Sequence, residues 1–165
     1  LEYARVFAKG ALKIDPANPD VLLLSAELEK NRDAQKALYY YRQAFRRRPN
    51  AIITRGMLAN FAFVKGLNKE ALTHYLWLYR VVPERIDYQV RLGVLYGRLK
   101  YFNKARQVLE KVIARDPQNT DAHFNLAIAY RYLGLTDLAK NELENTLRLD
   151  PRHNQARRYL LELGP

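Results

Sequence analysis

An all-α chain made by stacking one two-helix unit is what this sequence predicts, on three observations. Prolines recur at Pro16, Pro49, Pro83, Pro117 and Pro151, with intervals of 33, 34, 34 and 34 residues. Twelve before each stands an alanine: Ala4, Ala37, Ala71, Ala105 and Ala139. Twenty-five before the last four prolines stand Leu24, Leu58, Leu92 and Leu126, each followed by a small residue, Ser25, Ala59, Gly93 or Ala127. Self-similarity at about 34 residues marks a unit that cannot bury its apolar face alone and therefore packs on its neighbours.

Each element follows from these columns. Large residues at helical spacing form a packing stripe, and a constant small residue marks a close approach of two helices. Eight before the prolines stand Ala8, Tyr41, Tyr75, Leu109 and Leu143, on the packed face of a second helix. First helices are expected over 19–31, 52–65, 86–99 and 120–133, and second helices over 34–47, 68–81, 102–115 and 136–149. A second helix over 1–14 leads and a first helix over 153–163 trails. Gly66 and Gly134 fall where a left-handed residue can end a first helix; Asn31 can do the same, though less readily, and the repeat at 86–117 has only Lys100 there. Each proline stops a second helix, because it lacks the N–H that the helix needs. The organisation expected is one domain over 1–165: the second helix of a truncated repeat (1–16), full repeats at 18–49, 52–83, 86–117 and 120–151, and a terminal helix at 153–163. Leu1 falls inside a repeat without an initiator Met, so the chain is expected to be a piece of a longer protein. Its compartment stays open, and zero cysteines exclude disulfides and thiolate metal sites.

At these columns the sequence resembles the tetratricopeptide repeat family. The family's signature is a leucine and a small residue in the first helix, an alanine and an aromatic in the second, and a closing proline. Leu58-Ala59, Ala71, Tyr75 and Pro83 meet it; Leu126-Ala127, Ala139 and Pro151 meet it again, with the aromatic Tyr130 in the first helix instead. Val21, Arg55, Gln89 and His123 replace the family's usual aromatic near the start of the first helix, which predicts looser packing there. Leu161 in the small column marks the last helix as a cap or a departure from the pattern. The resemblance implies a right-handed superhelix whose concave wall is lined by first helices, and a protein-interaction scaffold rather than an enzyme.

Counting from the following prolines, the lining face reads Pro19, Leu22, Leu23, Ala26, Glu29 and Lys30 in the first full repeat. The next gives Ile53, Gly56, Met57, Asn60, Phe63 and Val64. The third gives Asp87, Val90, Arg91, Val94, Gly97 and Arg98, and the fourth gives Asp121, Phe124, Asn125, Ile128, Arg131 and Tyr132, with Arg158 and Tyr159 beyond. Asparagine amides can bond a peptide backbone and guanidinium groups can grip carboxylates, so the expected partner is a protein segment with acidic and apolar residues. Packing of Val90, Val94 and Ile128 between first helices, with solvated arginines, is the competing reading. The chaperone carboxylate clamp of some family members meets Gly56, Asn60, Arg91, Asp121 and Asn125, where three of five positions fail. The asparagine ladder of others meets only Asn125. A second expected interface is an outward apolar patch of Leu76 and Trp77 with Tyr39 nearby, suited to self-association; Trp77 lying along its own helix or covering a neighbour is the alternative.

Composition limits other functions. The net charge of +11 favours acidic partners, so a polyanion-binding module, with Arg46-Arg47-Arg48 and Tyr39-Tyr40-Tyr41, and a structural spacer both stay open. Apolar stretches such as Val21 to Leu24 are far short of a membrane span. No cofactor or metal is expected: His74, His123 and His153 have no ligand at metal spacing, and Glu142 and Glu144, two apart on a helix, face different directions. No nucleotide-loop, zinc-protease or hydrolase-elbow motif occurs.

Overall fold

A computed structural model describes residues 2–164; Leu1 and Pro165, which the expected domain and leading helix include, lie outside the described residues. The described residues form ten helices and no strand. They are α1 (Glu2–Ile14), α2 (Pro19–Glu29), α3 (Ala34–Arg47), α4 (Ile52–Val64), α5 (Asn68–Val81), α6 (Ile86–Arg98), α7 (Phe102–Arg115), α8 (Thr120–Tyr132), α9 (Thr136–Leu149) and α10 (Asn154–Glu162). The all-α class and the order of first and second helices agree with the sequence reading. The chain divides into two compact units, one up to Leu78 and one from Tyr79.

In the first unit, Ala26 on α2, Ala37, Leu38 and Tyr41 on α3, and Leu58 and Phe61 on α4 form one buried cluster. Tyr41 packs against Phe61 at 5.0 Å between ring centroids. In the second unit, Val90 joins Ala105, Leu109, Val112, Leu126 and Tyr130 in a core that draws on α6, α7 and α8. Ala127, Leu143 and Ala156 make a further cluster that ties α8 and α9 to α10. Gly93 shows why the small column is small: a Cβ there would lie 2.6 Å from Leu109 Cγ, well inside contact distance.

Two first helices end at glycine as the sequence suggests, and a third ends the same way without one. Gly66 (φ 72°) and Gly134 (φ 75°) are left-handed, and Lys100 (φ 64°) adopts the same conformation without being glycine. The next N–H then reaches back five residues, from Leu67 to the Ala62 carbonyl, from Tyr101 to Tyr96 and from Leu135 to Tyr130, at 2.8 to 3.0 Å. Asn31 does not take this role. The α2–α3 turn closes instead through Arg32 and Asp33 N–H to the Glu29 carbonyl, at 2.9 and 2.8 Å. There α3 begins fifteen residues after α2 begins, against sixteen in the other pairs, so the short first interval between prolines arises in this turn.

That missing residue corrects the column reading of α2. Counted from the following proline, Leu24 was placed in the core column, yet it is 37% exposed, while Ser25 and Ala26 are buried. Leu22, not Val21, stands in the column of Arg55, Gln89 and His123 and is 3% exposed.

The same column corrects the expectation of loose packing. Arg55, Gln89 and His123 are all under a tenth exposed. Each polar tip meets the carbonyl of the proline six residues before it. Arg55 donates to Pro49 O (2.7 and 3.2 Å) and Gln89 to Pro83 O (2.5 Å). His123 Nε2 contacts Pro117 O (3.0 Å), and Arg157 donates to Pro151 O (2.6 Å). A hydrogen bond thus joins the second-helix terminus to the next first helix at Pro49, Pro83, Pro117 and Pro151, where the family carries an aromatic, while at Pro16 the column holds apolar Leu22. It offsets missing helix caps, since Ala51 and Arg85 make no side-chain N-cap bond.

Candidate functional site

The first-helix face is built separately in each unit. In the first, a cavity of about 240 Å³ is lined by Glu27, Lys30 and Asn31 of α2 and its end, by Tyr41, and by Met57, Asn60, Phe61, Val64 and Lys65 of α4 and its end. Met57 and Asn60 were expected here. Glu27 and Asn31 were missed, because the one-residue slip in α2 put Ala26, which is buried, in the place of Glu27 and Lys30 in the place of Asn31. Glu27 accepts hydrogen bonds from Lys30 Nζ (2.5 Å) and the Tyr41 hydroxyl. Burial alone would raise the Glu27 carboxyl, but those two donors outweigh it and hold it below the usual carboxylate range, so it is a fixed negative charge. Burial, and then the same carboxylate, push the Tyr41 hydroxyl up. Phe63 is partly buried edge-on to Tyr75, at 6.3 Å, and frames the face rather than projecting from it.

In the second unit the expected residues divide. Val90 is only 9% exposed and belongs to the core, and Val94 packs against that core. Both therefore follow the competing reading, helix packing. Ile128 is half-buried, Arg91 is partly exposed and Arg98 is exposed on α6. Phe124 packs on His153 (4.4 Å) and Tyr159 (5.9 Å). Asn125 spends one amide N–H on the Asp121 carbonyl of its own helix, at 2.7 Å. Tyr132, 64% exposed, stacks parallel on Phe102 at 4.5 Å.

Two of the arginines expected to grip a carboxylate already hold one. Arg131 Nη2 lies 3.0 Å and Arg158 Nε 3.7 Å from the Glu162 carboxylate. Both guanidinium groups also sit over the Tyr159 ring, at 4.8 and 5.6 Å. The result is a two-arginine, one-tyrosine cradle that accommodates an acid at the surface of α8 and α10.

The outward patch is smaller than the sequence suggests. Trp77 is partly buried, its ring 4.0 Å from the Arg55 guanidinium, which also lies over Phe45 at 4.8 Å. Trp77 is thus committed to covering a buried cation on α4. Leu76 is partly buried as well, and Tyr39, 57% exposed, packs edge-on to Tyr40. Of the basic run, Arg48 pairs with Asp20 at 2.8 Å, while Arg46 and Arg47 are exposed.

Among the described residues no group of His, Cys, Asp and Glu could hold a metal ion, and no helix is long and apolar enough to cross a membrane. Glu142 has a structural partner: His123 Nδ1 lies 2.5 Å from its carboxylate.

No curated protein matches the sequence. Solved structures do match the fold. A crystal structure of YrrB, a tetratricopeptide repeat protein with an unusual peptide-binding site, is 18% identical, with a TM-score of 0.88 over 96% of this chain and 82% of that one. MamA from Desulfovibrio magneticus RS-1 is 19% identical, with a TM-score of 0.80 over 88% and 82%. The first such repeat domain of Spaghetti (RPAP3), bound to the HSP90 peptide SRMEEVD, is 23% identical, with a TM-score of 0.64 over 68% and 89%. Residues 100–162 match the family model described as Tetratricopeptide repeat. The match over residues 100–162 supports a tetratricopeptide repeat assignment there by sequence, and the whole chain shares the fold of solved tetratricopeptide repeat proteins.

Proposed function

We propose that the chain is a non-catalytic scaffold whose first-helix faces hold a segment of a partner protein rich in acidic and apolar residues. Tetratricopeptide repeats are generally interaction modules, and two similar folds, YrrB and the Spaghetti domain, are described with peptide sites or a bound peptide. The observation that carries the reading is the cradle of Arg131, Arg158 and Tyr159 around Glu162, an internal acid in the place a partner's acid would take. Arg91 and Arg98 extend the cationic face on α6, while Ile128 and Phe124 supply apolar surface. In the first unit, Met57, Asn60 and Lys30 offer a smaller site of the same mixed character. A segment held this way is expected at about micromolar affinity, near −8 kcal/mol.

The test is capture of partners by the full chain, repeated with Arg91→Glu and Arg98→Glu together and with Arg131→Glu. Loss of the captured segment in both variants supports the reading. Retention in both overturns it, and capture of nucleic acid with a steep salt dependence favours a polyanion module instead. Glu162→Gln, which releases both arginines, is expected to raise affinity severalfold.

A further inference from the structure

Between α3 and α5 the second helices of adjacent repeats are tied by Arg42, whose guanidinium donates to both carboxylate oxygens of Glu70, at 2.9 and 2.7 Å. Phe45 meets His74 edge-on in the same interface, at 4.9 Å. One repeat earlier these columns change. Lys9 stands where Arg42 does, seven before its proline, and Lys36 stands where Glu70 does, thirteen before its own. Leu12 and Tyr40 take the places of Phe45 and His74. Where an ion pair closes one interface, two cations line the other, and a cleft of about 560 Å³ lies among α1, α2 and α3.

Arg5, Lys9, Lys13, Arg32 and Lys36 all line this cleft, against the carboxylates of Glu2 and Glu29. Among the described residues none of the five cations is in an ion pair. Arg5 is the most constrained: Nη2 donates to the Leu28 carbonyl at 3.3 Å, and its Nε is buried without a hydrogen-bond partner. A buried charged donor without an acceptor is costly, and like charges around a concave wall raise the local potential, so an incoming carboxylate relieves both. The same wall includes Ala8, Leu12 and Leu28, which suit apolar side chains rather than a bare phosphate chain. The volume falls in the range of ligand-enclosing sites.

We propose that the cleft among α1, α2 and α3 docks an acidic protein segment carrying apolar side chains, at a site separate from the first-helix faces. The test titrates the full chain, with labelled amides, with a short peptide of alternating Glu and Leu at low salt, and compares wild type with Lys36→Glu and Lys36→Arg. Lys36→Glu reinstates the charge pairing of the next interface and should weaken binding at the cleft about tenfold, the scale of one charge-assisted contact. Lys36→Arg should preserve it. Amide shifts on α1 and α3 that vanish in Lys36→Glu, while those on α8 and α10 persist, support the proposal. Absence of shifts on α1 and α3, shifts insensitive to Lys36→Glu, or tighter binding there of a single-stranded oligonucleotide of equal charge overturns it.

Discussion

At the scale of single residues, the least expected arrangement is a buried cation beside a buried histidine. Arg55 is 8% exposed and meets a carbonyl and two aromatic faces rather than an acid. His74 is 7% exposed, and its Nδ1 is buried without a hydrogen-bond partner. Burial lowers the His74 pKa and Arg55 lowers it further, with Glu70 opposing in part. The folded state therefore prefers neutral imidazole, and the unfolded state takes up the proton first. Stability from this group is complete above the unfolded pKa of about 6.5 and is lost as pH falls from there through the folded value, by at most about 1.4 kcal/mol per pH unit. Urea midpoints measured between about pH 7.5 and 5 should fall in the wild type and fall less in His74→Phe. Equal slopes in the two proteins would show that other groups govern the acid limb. None of this was visible in the sequence, because a residue spacing does not say that Trp77 and Phe45 close over Arg55. The sequence marked Trp77 as unusual and assigned the oddity to the outer surface. Its ring is unusual because the charge it covers is.

At the scale of elements, helix order and most boundaries were legible because the prolines fix where each second helix stops. The α2 columns were not. A count between prolines detects one missing residue without locating it, and the structure places it in the α2–α3 turn, after the first-helix face. Counting back through the deletion shifted every α2 position by one and hid Glu27 and Asn31 from the candidate site. The left-handed turn residues were legible where glycine supplies them, at Gly66 and Gly134. Lys100 holds the same geometry at φ 64°, which costs a residue with a side chain about 1 kcal/mol. Lys100→Gly is accordingly expected to stabilise the second unit by roughly 0.5 kcal/mol or more, seen as a higher denaturant midpoint. A lower midpoint would mean that the Lys100 side chain makes contacts worth more than the strain.

At the scale of the whole molecule, the positive charge is spread rather than local. Residues up to Leu78 include thirteen basic and seven acidic side chains, and those from Tyr79 include fifteen and ten. Each unit therefore repels itself at low ionic strength, while exposed pairs such as Arg85 with Asp87 add little. Moderate salt is expected to raise the thermal midpoint by screening that repulsion, and to lower affinity for an acidic segment over the same range. A midpoint that falls with salt would show instead that ion pairs such as Arg42 with Glu70 outweigh the repulsion.

The hydrogen bonds from Arg55, Gln89, His123 and Arg157 to Pro49, Pro83, Pro117 and Pro151 also determine where one repeat ends and the next begins. A proline closes a helix in the sequence, yet through its carbonyl it is bonded to the helix that follows. A repeat cut after its proline leaves the following helix's donor without its acceptor, whereas one cut ahead of the proline carries both. For excision, duplication or grafting of units from this chain, the separable module starts at the proline.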